Sequence, residues 1–231
     1  MSTTSNVHSR PAQAGPPLVA PALAFAGLTV VGAVLGASGP RPTTPAVELA
    51  DYLTAHATTA TVQAAAVFAT AIPLALFSAV AYRRLRQLGV TAPGSAIALA
   101  GGLVASAMLA LSGLAAWTTT QSIDLGEPGL LRALTTLSFA AGGPGFVPFL
   151  ALLLAGVAVP SLVLGLLPRA LAWAGLVVAG LGMLSVFSLL TPALYVLLPV
   201  GRFGGLLWLV AAAALLPLTR RRRSTPEPAA S

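Results

Sequence analysis

Apolar residues in this chain come in long unbroken runs rather than in stripes of period 3.6 or in strict alternation. A helix crossing about 30 Å of hydrocarbon needs roughly 20 predominantly apolar residues. Runs at 18–38, 62–82, 95–117, 146–166, 170–190 and 203–219 fit that requirement. The last is the shortest, at about 25 Å for a rise of 1.5 Å per residue. The pattern predicts an all-α polytopic transmembrane helical bundle: six spans as three hairpins within a membrane domain at 18–219, with short outer interfacial helices.

The segments between the runs refine this picture. Residues 1–17 are polar, rich in Ser, Thr, Pro and Ala, and read as a disordered tail. The first run reads as a retained span. A signal peptide cleaved near Ala37 needs a small residue two positions earlier, and Leu35 stands there. Arg41-Pro42-Thr43-Thr44-Pro45 then breaks the chain, with Thr44 a candidate N-cap and Pro45 at the first helical position. Glu48 and Asp51 lie near the positive end of the helix that follows. Leu49 and Leu53 share one face, so this interfacial helix is expected to run straight into the second span. Residues 118–128 form a polar loop. The stretch 129–141 is apolar but too short to cross, and amphipathic around Arg132, which places it on the outer surface or tucked against the bundle. Gly142-Gly143-Pro144-Gly145 separates it from the fourth span. Leu167-Pro168-Arg169 is a tight turn into the fifth, Thr191-Pro192 ends that span, and Pro199 and Gly201 interrupt the approach to the sixth. Residues 220–231 are a basic stretch followed by a Pro-containing tail.

Charge orients the bundle. Charged residues make up only 7% of the chain, against about 25% in soluble domains. All twelve basic residues are arginines. With the N-terminus inside, Arg10, Arg83, Arg84, Arg86, Arg169 and Arg220, Arg221, Arg222, Arg223 are cytoplasmic, nine of the twelve; Arg41, Arg132 and Arg202 are outside. That asymmetry follows the positive-inside rule. Glu48, Asp51, Asp124 and Glu127 fall outside. Tyr82 and Trp173 fall at the inner interface, and Tyr52, Trp117 and Tyr195 at the outer one, as aromatic belts require. Both termini are therefore expected in the cytoplasm. The Arg-only, Ala-rich usage fits a high-GC bacterial genome and a multi-pass protein of the inner membrane.

Little catalytic chemistry is available. The chain has no cysteine, which excludes disulfides, thiolate catalysis and Cys-ligated metals. No Asp, Glu or His lies inside an expected span, which argues against a proton relay. Ser78, Ser106, Ser112, Ser138, Ser185 and Ser188 have no base in their spans. His56 stands near Glu48 and Asp51, but a zinc site needs at least three protein ligands, so these read as a solvated helix face. No catalytic, metal or cofactor residue is assigned, and no enzyme is expected. Gln63 reads as an interfacial amide or an interhelical hydrogen bond. Arg132 and Arg202 are set in apolar sequence, Arg202 beside a glycine-rich break. With Glu48 and Asp51 they form a candidate anion or ion-pair site at the outer face, where Asp124 and Glu127 are further acids. The pair of basic clusters, Arg83, Arg84, Arg86 and Arg220, Arg221, Arg222, Arg223, sets topology and attracts anionic lipid at about 1 kcal/mol per residue. The partners this implies are the lipid bilayer and, as a second candidate, another membrane protein; nucleic acid is not one. Gly32 with Gly36, Gly101 and Gly102 with Ser106, and Gly201 with Gly205 are small-residue motifs that let helices approach closely.

The run Leu167-Pro168-Arg169-Ala170-Leu171-Ala172-Trp173-Ala174-Gly175-Leu176-Val177 resembles a hairpin found in a family of uncharacterised, actinobacterial-type integral membrane proteins, described as a domain of unknown function with about six spans. Glu48-Leu49-Ala50-Asp51-Tyr52-Leu53, Leu190-Thr191-Pro192-Ala193-Leu194 and Leu198-Pro199-Val200-Gly201-Arg202-Phe203-Gly204-Gly205 are similar to members of it, so the resemblance covers roughly residues 45–219. It implies architecture and no catalytic residue. The first expectation for function is a structural or regulatory protein that packs against lipid or other membrane proteins. The second is a transporter or channel for a neutral or anionic small solute. Reporter fusions after Arg86, Arg169 and Arg223 should signal cytoplasm, and fusions at Thr43 and Leu125 the exterior; an exterior signal at Arg86 would reverse the orientation.

Overall fold

The computed structural model describes residues 17–41 and 43–218. Both polar tails, with His8, Arg10 and Arg220–Arg223, lie outside these residues, apart from Pro17. Among the described residues every regular element is helical. The α-helices are α1 (Val19–Leu35), α2 (Ala46–Ala55), α3 (Ala57–Gln87), α4 (Gly94–Gln121), α5 (Pro128–Gly142), α6 (Val147–Leu164), α7 (Arg169–Leu184) and α8 (Leu197–Leu215). Five helical stretches are long and apolar enough to cross a membrane: Ala57–Gln87, Gly94–Gln121, Pro128–Leu164, Arg169–Leu189 and Pro192–Leu215. The chain is thus of the multi-pass membrane type. The first apolar run forms a helix of 17 residues.

Helix α4 is the spine. It packs along α3 on one side and along α5 and α6 on the other. Its small residues set these distances. A Cβ on Gly113 would stand 2.5 Å from the Phe68 nitrogen of α3, and one on Gly101 would stand 2.6 Å from the Leu152 Cβ of α6. In return, a Cβ on Gly156 of α6 would lie 2.5 Å from the Ala98 nitrogen of α4. Backbones this close gain dispersion contacts, which drive helix association where lipid removes the hydrophobic incentive. Polar groups inside the contact are satisfied locally. Ser78 donates to the Leu74 carbonyl at 2.7 Å, and Ser106 reaches across from α4 to the Ala71 carbonyl of α3 at 2.5 Å. On the far side of the bundle Trp208 of α8 lies over Gly175 of α7 and donates its indole N–H to the Leu171 carbonyl at 2.8 Å.

Helix ends follow their capping residues. Gly89, at φ 88°, closes α3 while the Val90 N–H returns to the Leu85 carbonyl at 3.0 Å, and both side chains are buried. A left-handed glycine with a 6→1 bond and an apolar contact across it is the Schellman arrangement. Gly165, at φ 66°, closes α6 in the same way, with Leu166 bonded back to Ser161 at 2.9 Å, and Pro168 opens α7. This accounts for the tight turn at Leu167-Pro168-Arg169.

Three segments depart from the sequence reading. Pro199 and Gly201 do not interrupt the approach to the last span: both lie within α8, which already begins at Leu197. The helix after Pro45 does not run straight into the next one: His56, at φ −124° and ψ 25°, breaks it into α2 and α3. Helix α2 instead lies over α5, through a small cluster of Leu49, Leu53 and Leu131. The stretch 129–141 takes the tucked position, as α5 against α4, and continues after a short break into α6. The two glycine pairs Gly32/Gly36 and Gly201/Gly205 face other helices of the same chain: Gly32 and Gly36 face α3, and Gly201 and Gly205 face α6. Gly113→Val should lower the melting temperature of the detergent-solubilised protein by the equivalent of about 1–3 kcal/mol. Gly180→Ala, with open space at its Cβ, should not lower it.

Candidate functional site: an arginine at a helix break

The last carbonyls of a helix have no intrahelical donor. At a surface, water satisfies them; inside a bundle the protein must. Helix α5 ends at Gly142 within the packed region, where its C-terminal turn lies against Ser112 of α4. Some of its carbonyls are satisfied locally. Gly143 bonds back to Phe139 and Gly145 to Ala140, both at 2.7 Å, and the Phe146 and Val147 N–H groups bond to Gly143 at 3.0 and 2.9 Å. Gly142 is satisfied from a distance: Arg202 of α8 donates Nη2 to its carbonyl. The guanidinium carbon also lies 5.2 Å from the centroid of the Phe146 ring, at the start of α6. A cation at a helix C-terminus is favoured by the negative end of the dipole. A cation over an aromatic face gains about 0.5–2 kcal/mol.

Small and polar residues make room for this arrangement. A Cβ on Gly142 would collide with the Ser112 hydroxyl, so only glycine lets α4 come this near. Ser112 and Ser138 clamp α4 to α5 reciprocally, each hydroxyl donating to the other residue's carbonyl, at 2.8 and 2.9 Å.

Arg202 sits where two cavities meet. One, of about 270 Å³, lies beneath α2 and is lined by Tyr52, Thr59, Gln63, Ser112, Thr119, Thr120, Thr135, Ser138 and Gly142 among others. The other, of about 150 Å³, lies between α1, α3 and α8 and reaches Phe25, near the middle of α1. Gly36, Gln63, Val67 and Arg202 line both. Among the described residues lining the two there is no Asp or Glu. The Gln63 amide is pressed against Gly36, which has no side chain to obstruct it. The site therefore offers a guanidinium, an amide and hydroxyl walls, with no countercharge of its own. A third cavity, of about 310 Å³, meets Arg202 from the side of Tyr195, Leu198 and Phe203.

The remaining residues singled out from sequence lie elsewhere. Glu48 and Asp51 are on the exposed face of α2, Asp124 and Glu127 are exposed in the α4–α5 connection, and Arg132 is exposed on α5. Among the described residues no carboxylate oxygen comes within 4.0 Å of the Arg202 guanidinium, so the expected ion pair is replaced by a carbonyl and an aromatic ring. The reason is positional. The acids sit on polar surfaces, whereas Arg202, in the second turn of α8, faces the interior. His56 stacks on Tyr52 with ring centroids 4.3 Å apart. In the basic cluster at the end of α3, Arg83 and Arg86 are exposed and Arg84 is buried, with Arg86 bonded to the Val90 carbonyl at 3.4 Å. Sequence reasoning missed Gly142, Phe146, Ser112 and Ser138 as site residues. The available signal was the Gly142-Gly143-Pro144-Gly145 break itself, because a helix end inside a bundle demands a donor.

A scan against protein-family models finds no match, and searches of curated proteins and of solved structures find no significant similarity.

Arg202→Leu leaves the Gly142 carbonyl without its donor, and a buried unsatisfied group costs about 1–3 kcal/mol. Thermal unfolding in detergent should show that loss, whereas Arg41→Leu at an exposed position should stay within about 0.5 kcal/mol. Equal melting temperatures for the two variants would remove Arg202 from its structural role.

Proposed function

We propose that this protein is a six-span transporter or channel of the bacterial inner membrane, with both termini cytoplasmic, that takes a small anionic solute from the α2 face. The observation that carries the proposal is the Arg202 guanidinium exposed to two cavities whose described lining has no acid. An ionisable group at membrane depth costs a few kcal/mol or more, and such residues mark substrate and ion paths. Broken helices are tolerated at that depth where they are buried in protein or line a cavity, and many transporters place their sites at such breaks. Here the C-terminus of α5 and the N-terminus of α6 meet beside Arg202. The arginine caps the former, while the positive dipole end of the latter adds to an environment that favours anions.

The first apolar run, α1, completes the count of six in this reading, and the arginine asymmetry sets its direction. The resemblance of Leu167–Val177 to a hairpin of uncharacterised bacterial membrane proteins of similar architecture supports this reading. A purely structural or regulatory role through packing is the second reading. It is less favoured because Gly32, Gly36, Gly101, Gly201 and Gly205, the small residues that would mediate packing between proteins, face helices of the same chain. The proposal involves no catalytic step. Arg83 and Arg86 are assigned to anionic lipid at the inner surface, together with Arg220–Arg223.

Purified protein in proteoliposomes should release methanesulfonate, a small anion with no membrane-permeant acid form near neutral pH, faster than protein-free vesicles. Arg202→Gln, which keeps a donor near Gly142, should abolish that release, and Gln63→Leu should reduce it several-fold. Arg132→Gln, at an exposed site, should leave it unchanged. Methanesulfonate release that is no faster than from empty vesicles, or that is indifferent to both Arg202→Gln and Gln63→Leu, would refute the proposal.

A further inference from the structure

The smaller of the two cavities that meet at Arg202 selects among anions by its shape and walls. The larger one beneath α2 carries Tyr52 and several hydroxyls, of which those of Ser112, Thr119, Thr120 and Ser138 are donated to backbone carbonyls. The smaller one has walls of Phe25, Leu28, Val67, Leu109 and Phe146. Its two threonines are turned to their own helices: Thr29 donates to the Phe25 carbonyl at 2.7 Å, and Thr70 to the Val67 carbonyl at 2.5 Å. What remains is a largely apolar chamber of about 150 Å³ that carries the Arg202 guanidinium and the Gln63 amide on its wall. A cavity of about that volume is large enough for a benzene-sized molecule. An inorganic or very small hydrated anion gains nothing from it, because filling it requires shedding water without replacing the hydrogen bonds.

Resting on the reading of Arg202 as an anion site, we propose that the solute is a monoanion with a compact apolar body of benzene size, of the aryl or branched-chain carboxylate class. Its carboxylate lies against the Arg202 guanidinium and the Gln63 amide, and its apolar body fills the chamber between Phe25 and Phe146. One cation with no acid beside it balances a single negative charge. Nη2 of Arg202 is already committed to Gly142, which leaves its other N–H groups for one carboxylate. Such a solute enters past the hydroxyl-lined cavity with its charged end solvated and turns its apolar end into the chamber last.

The test is equilibrium binding to the full-length protein in lipid nanodiscs, with benzoate, acetate and benzamide as probes. Benzoate should bind at least about tenfold tighter than acetate, the gain expected from burying the ring. It should also bind at least about tenfold tighter than benzamide, which lacks the charge. Leu28→Phe, which fills the chamber from the partly buried side of α1, should erase the preference for benzoate while leaving acetate binding intact. Benzoate and acetate binding equally in the native protein overturns the inference and leaves the anion site standing. Neither binding overturns the anion site and the inference with it. A preference for benzoate that persists unchanged in Leu28→Phe places the ring elsewhere and also overturns the inference.

Discussion

Every backbone carbonyl removed from water needs a donor, and in hydrocarbon that requirement has no solvent to fall back on. The junction between α5 and α6 is where this protein meets the requirement with a side chain instead of a helix. Ending α5 at Gly142 inside the bundle exposes a carbonyl that only another element can reach, and Arg202 of α8 reaches it. The same contact explains how an arginine is retained among apolar residues, since its cost falls when it is hydrogen-bonded and set against the Phe146 ring. The break and the arginine thus require each other. Removing one leaves the other as an unsatisfied polar group in a low-dielectric setting.

Around that junction the fold is built from absences of side chains. Gly101, Gly113 and Gly156 bring α4 close to its neighbours on both sides, and Gly142 lets the end of α5 approach Ser112. The cavities lie beside this tight packing, and α4 itself lines both, through Leu109 in the smaller and Ser112 and Thr119 in the larger.

Much of the fold was legible because long apolar runs and their punctuation are strong signals. The ends of α3 and α6 were legible from Arg83–Arg86 and from Pro168, although the glycines that close them, Gly89 and Gly165, did not stand out; the start of α2 was legible to within a residue, Pro45 being its N-cap in place of Thr44. The short segment 129–141 was legible as too short to cross alone, but its continuation past the break was not. A Gly-Gly-Pro-Gly sequence reads identically whether it is a surface loop or a kink within one apolar stretch. The site was half legible. Arg202 stood out as a charge within apolar sequence, and its glycine-rich surroundings suggested a backbone lining protein. Its partner did not stand out, because a backbone carbonyl carries no identity in a sequence, whereas four nearby carboxylates invited a pairing that their surface positions preclude. Gln63 shows the same limit: its amide is unremarkable until Gly36 is seen to make space for it.

The single-residue break at His56 makes α2 a separate unit mechanically. Ten residues of helix are marginal alone, and the apolar hold on α2 is the cluster of Leu49, Leu53 and Leu131, with Ala50, Ala60 and Ile123 at its edge. The long helices beneath it share a far larger core. In a structure whose parts open at different free energies, the seating of this helix beside the larger cavity rests on three leucines rather than on the core that holds the bundle together.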